Sequence, residues 1–110
     1  MWSIGYYNEQ LQEEILELPA RIQARYIHMT QRMLLYGPNL GMPHTRSMGQ
    51  GLFELRMKSD EGLGRVFYCV CKGRQIIMLH TFMKKTKKTP AHEREIAMRR
   101  MKEVKTDAQP

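Results

Sequence analysis

"LFELRMKSDEGLGRVFYCVCKGRQIIMLHTFM", residues 52–83, decides the fold. Its first seven residues alternate cleanly, sending Phe53, Leu55 and Met57 to one side and Glu54, Arg56 and Lys58 to the other, the pattern of a half-exposed strand. "RVFYCVC" (65–71) and "IIMLHTFM" (76–83) are apolar almost throughout, as in strands covered on both faces. The links "SDEGLG" and "KGRQ" are short and carry glycine, so the three runs are expected to pair as an antiparallel meander.

Working toward the N-terminus, residues 37–51 are rich in Gly, Pro, Asn, Ser and Thr without periodic apolar residues and read as a loop, ordered or not. Before them lie two amphipathic helices. Asn8 is placed to cap one that runs to about Leu18, with Leu11, Ile15 and Leu18 on one face. Pro19 suits the first turn of the second, residues 19–36, whose stripe of Ile22, Tyr26, Met29, Met33 and Tyr36 needs a surface to cover. Residues 2–7 read as a short strand. Toward the C-terminus, Thr89 and Pro90 open a final helix to about Lys105, with Glu93 and Glu95 near its start and basic residues near its end, matching the helix dipole. The tail, residues 106–110, is expected to fray. The order β-α-α-β-β-β-α is an α+β fold, a helical hairpin packed on a small antiparallel sheet.

The 110 residues suffice for one core and are expected to form a single domain, residues 1–110. With 18 lysines and arginines against 11 acids, the net charge of +7 points to polyanionic partners. The start lacks the basic-then-apolar pattern of a secretory signal and no segment is a membrane-span candidate, so the expected location is the cytoplasm and no membrane partner is expected. Cys69 and Cys71, one residue apart, form neither a CxxC redox turn nor a zinc knuckle and read as buried apolar fillers.

The cations are unevenly placed. Lys84, Lys85, Lys87 and Lys88 fill four of five positions where the last strand ends, beyond what solubility alone requires. An antiparallel arrangement can bring Arg56, Lys58, Arg65, Lys84 and Lys85 together as a phosphate site. Tyr36, Tyr68 and Phe82 could stack on bases, but their positions on a helix stripe and in strands assign them to the core. His28, His44, His80 and His92 are scattered without metal-ligand spacing, and neither a GxSxG elbow nor a Walker loop is present; no metal and no cofactor is expected. RNA carries its own nucleophile, the 2′-hydroxyl. Its cleavage needs only a base, an acid, and cations around the crowded phosphate. A lysine depressed by cationic neighbours could act as the base.

In order, "GLFELRMK", "GRVFYCV", "IIMLHTFMKKTKKTP" and a basic final helix with "EIAMRRM" resemble the HigB branch of the RelE superfamily, toxins of bacterial and phage toxin–antitoxin pairs. The likeness extends over about residues 5–105. It implies a RelE-like fold and a metal-independent, ribosome-dependent endoribonuclease that cuts messenger at the decoding site of the 70S ribosome, arresting translation and growth. It further implies a cognate helix-turn-helix, HigA-like antitoxin. Carried over by position, Arg65, Lys84 and Lys85 match catalytic basic residues and Arg56 an RNA-binding one; Lys58, Lys87, Lys88 and His44 complete the expected RNA contacts. Relatives place a tyrosine or histidine near the end of the chain, whereas none of the tyrosines here follows Tyr68; His92 is the nearest substitute and is the further catalytic candidate, with a plain capping-turn role as the competing reading. Glu54 is read as orienting Arg56 by a salt bridge, His80 as a core imidazole. The competing functions are a ParE-like toxin that binds gyrase without nuclease chemistry and a basic protein that binds RNA or the ribosome without cutting.

Overall fold

The computed structural model describes residues 1–107, in the order β1 (Ser3–Tyr6), α1 (Glu9–Leu16), α2 (Ala20–Tyr36), β2 (Thr45–Gly49), β3 (Leu52–Ser59), β4 (Gly62–Cys71), β5 (Gln75–Lys84) and α3 (Ala91–Asp107). The fold is α+β, as the patterning implied, and compatible with a RelE-like arrangement. Its sheet has five strands in the order β1-β5-β4-β3-β2. The central meander β3-β4-β5 is antiparallel throughout.

Two features extend the expected sheet. β1 lies parallel to β5, with Ser3 opposite Gln75 and Tyr6 opposite Met78, so the sheet is mixed. A four-residue strand carries no mark of direction in its own sequence; the helical hairpin that follows sets which way it runs beside β5. The second feature is β2, an antiparallel edge strand within the stretch that reads as loop. The loop leading into it is ordered: the Gly41 N–H donates to the Thr45 hydroxyl at 2.8 Å, and Thr45 is buried.

Helices cover both faces. Asn8 caps α1, its side chain accepting from the Leu11 N–H at 2.8 Å. Leu11 and Ile15 of α1 then join Ile22, Tyr26, Met29 and Met33 of α2 over Leu55, Met57, Val66, Tyr68, Ile76 and Met78. On the opposite face, Ala97 and Met101 of α3 cover Leu52, Phe67, Cys69, Ile77 and Leu79. Cys69 is buried and Cys71 partly so, both as free thiols, and burial pushes the Cys69 thiol up to about 12. Gly64 marks a close helix–sheet approach: a Cβ there would lie 2.5 Å from the Ile22 side chain.

The apolar stripe of α2 stops at Met33. Tyr36, expected to continue it, is 73% exposed, because the helix ends there and Gly37, at φ 97°, turns the chain back over the Trp2 ring. Thr106 and Asp107 of the tail belong to α3, while residues 108–110 lie outside the described residues. Among the described residues, no helix is long and apolar enough to cross a membrane.

Candidate phosphate-binding cleft

Pairing in the sheet assembles the cations. Arg56 of β3 and Arg65 of β4 are direct cross-strand partners, and Arg46 of β2 stands opposite Glu54 of β3. Directly opposed residues share a face. That face is the one α3 covers at its other end, so these side chains project beside the helix.

Lys84 joins them through a β-bulge. Tyr68 pairs with Met78 but Phe67 pairs with His80, leaving Leu79 as an extra residue in β5. Before the bulge, the even-numbered Ile76 and Met78 face the helical hairpin. After it, even-numbered residues face the other way: Phe82 lies opposite Arg65, and Lys84 opposite Leu63. One inserted residue thus turns the end of the strand over and delivers Lys84 to the arginine face.

Glu54 stands at the centre. It is 1% exposed and holds Arg46, Arg56 and Arg65 at 3.8, 4.0 and 3.8 Å. The Thr89 hydroxyl donates to its Oε2 at 3.1 Å, tying the start of α3 to the same carboxylate. At these separations the arginine contacts are ion pairs and not hydrogen bonds, so the guanidinium donors are largely uncommitted. The buried Arg65 illustrates this: Nη1 donates to the Gly64 carbonyl at 2.8 Å, while Nε, which faces Glu54 at 3.8 Å, has no hydrogen-bond partner among the described residues. Four cations, Arg46, Arg56, Arg65 and Lys84, therefore surround one carboxylate, leaving a strong positive excess.

Two groups respond to that field. Lys84 is held below its ordinary value, first by desolvation and then by Arg65, with Arg56 and Arg46 adding to the effect and Glu54 opposing it. Arg65 is also lowered, chiefly by burial, with Glu54 pulling it back. A guanidinium starts so high that Arg65 stays cationic, whereas an ammonium can move toward neutrality.

These side chains open into a cleft of about 850 Å³. Of the residues expected at the site, Arg56, Lys58, Arg65, Lys84, Lys87 and His44 line it. The His44 carbonyl accepts from the Arg56 N–H at 2.8 Å, which fixes the loop at the cleft wall. Lys85 and Lys88 are exposed on the connection to α3 and His92 on that helix's first turn; none of the three lines the cleft. His80 lies partly buried, 3.2 Å from Glu93, with its Nδ1 unpartnered. Tyr68 is buried and stacks on Phe53, and Phe82 packs against Phe67, as their core assignment implied; Tyr36 is the exception described above. Among the described residues no group of three or more His, Cys, Asp or Glu could hold a metal ion.

Sequence reasoning missed Arg46 and Arg25, and gave Glu54 one arginine where it holds three. Arg46 went unseen with its strand. The signal available was weak: a short "TRSM" alternation inside a loop-like composition.

A basic cleft on one end of an α+β sheet, built from residues of adjacent strands, is compatible with a small RelE-like protein. The family model described as "Phage derived protein Gp49-like (DUF891)" matches residues 13–102, and the chain belongs to that family, a RelE/toxin-like family of toxin–antitoxin systems. Every cleft residue named above lies within the match. No curated protein matches the chain.

Proposed function

We propose that this protein is a HigB-type toxin, a metal-independent endoribonuclease that cuts messenger RNA on the translating ribosome. The observation that carries the reading is the convergence of Arg56, Arg65 and Lys84 from three adjacent strands into one cleft around buried Glu54. Such a constellation suits a scissile phosphodiester, whose negative charge grows as the fifth oxygen bonds to phosphorus.

In this reading Arg65 and Arg56 hold the non-bridging oxygens. Lys84, displaced toward its neutral amine, takes the proton of the 2′-hydroxyl as that oxygen attacks the adjacent phosphorus. The bond to the 5′-oxygen breaks, giving a 2′,3′-cyclic phosphate and a 5′-hydroxyl. His44, the histidine that lines the cleft, supplies the proton to the leaving oxygen. Glu54 keeps the arginines in register. The ribosome supplies the alignment of the messenger, and a HigA-like helix-turn-helix antitoxin silences the activity.

Mapping RNA ends in cells after brief induction tests the proposal. New ends within translated messengers are expected for the wild type. Arg65→Ala should reduce them by about 10²- to 10³-fold, the usual loss on removing one positioned charge partner. Unaltered cutting by a soluble, folded Arg65→Ala protein, or gyrase inhibition without new RNA ends, would refute it.

A further inference from the structure

Helix α2 carries a second cationic feature that the cleft does not account for. Arg21, Arg25, His28 and Arg32 recur at intervals of four, three and four, placing them along one side of the helix, and α2 contains neither Asp nor Glu. Helix α1 beside it carries Glu9, Glu13 and Glu14, yet none of these pairs with the α2 cations. Arg21 is taken up by Asp60 and Glu61 of the β3–β4 turn. Arg25, His28 and Arg32 pair with no carboxylate among the described residues, and Arg25 and His28 are exposed.

A second depression, of about 390 Å³, lies against this stripe and is lined by Arg21, Arg25 and His28 together with Ser59 and Asp60. Arg25, Ser59 and Asp60 also line the large cleft. The two cavities therefore meet at Arg25, and a continuous positive path runs from Lys84 and Arg65 over the β3–β4 turn onto α2. Asp60 and Glu61 at that turn are both drawn to Arg21, which offsets one of their two charges, and Lys58 and Arg25 flank them along the path.

We infer that the Arg25–His28–Arg32 face of α2 is a binding track for the sugar-phosphate backbone of the substrate strand flanking the bond held in the cleft. The inference takes from the proposed function only that an RNA backbone occupies the cleft. A chain of phosphates leaving the cleft past Arg25 would meet His28 and then Arg32 at successive turns of the helix. Contacts of this kind add affinity without reading sequence.

The test uses the purified full chain and fluorescent 2′-O-methyl oligoribonucleotides, which cannot be cut because the attacking hydroxyl is blocked. The wild type should bind a dodecanucleotide more tightly than a trinucleotide. In the Arg25→Gln/Arg32→Gln protein, shown folded by circular dichroism, that length advantage should disappear. For the dodecanucleotide, its log–log salt dependence should be shallower by about 1.4, from roughly 0.7 per lost single-strand phosphate contact. A wild type that gains nothing from length overturns the inference, as does a double variant that keeps both the gain and the slope. Normal dodecanucleotide binding by a double variant that no longer sediments with ribosomes overturns it in favour of ribosomal RNA. A length advantage that depends on Arg25 and Arg32 in a protein that never cuts messenger would support the track while defeating the nuclease reading.

Discussion

Lys84 and Arg65 sit in the same field and answer it differently, which separates their roles. The Lys84 ammonium is disfavoured by desolvation and by three arginines, so its neutral fraction grows at lower pH than that of a free lysine. If Lys84 is the base, single-turnover cleavage of ribosome-bound messenger should rise with pH and level off below the ordinary lysine range. Lys84→Arg, which keeps the charge but cannot lose a proton, should bind RNA normally and lack that rising limb. A Lys84→Arg protein with the wild-type pH profile would make Lys84 a clamp and move the base elsewhere. At this scale the sequence was half legible. Alternation in "LFELRMK" places Arg56 with Glu54, but nothing in it reveals that Glu54 is buried and shared with Arg46 and Arg65.

Between elements, the cleft depends on β2, β3 and β4 holding register and on α2 lying close against β4. Glu54→Gln would leave Arg65 buried without its counter-charge. Breaking one side of a buried pair typically costs about 3 kcal/mol or more, and urea unfolding should show a loss of that order. A loss below about 1 kcal/mol, the worth of an exposed pair, would mean that the arginines are held by solvent instead. Gly64→Ala should cost roughly 1 to 3 kcal/mol by overpacking, because its new methyl would press on Ile22 with little room to yield. In a double-mutant cycle Gly64→Ala should cost less in an Ile22→Ala background, where the Cγ2 methyl it would strike is gone, a result that a purely conformational effect at position 64 would not produce. The strands, their pairing and the helical hairpin were readable from period and turn residues. The bulge that orients Lys84 was not, since "IIMLHTFM" is apolar at nearly every position and has no alternation to interrupt.

Across the whole molecule, a net charge of +7 is concentrated on the cleft and the adjoining side of α2, while α1 is acidic. Association with ribosomes or RNA should therefore weaken steeply as salt is raised from about 50 to 200 mM, with a measurably smaller slope once Arg25 and Arg32 are neutralised. A salt-independent affinity in sedimentation assays would point to apolar docking in place of phosphate contacts. The family match over residues 13–102 spans the cleft and this stripe together.

Composition, apolar periodicity and turn chemistry are local properties, and they were enough to specify an α+β chain with a three-stranded meander, a helical hairpin and a basic end. Which cations meet was decided only when the strands paired. Parity along β5 reverses at one extra residue, β2 joins an edge that its composition disguises, and α2 comes near the cleft because Gly64 lets it approach. Each of these depends on contacts between residues far apart in the chain, whose geometry no short window of sequence contains.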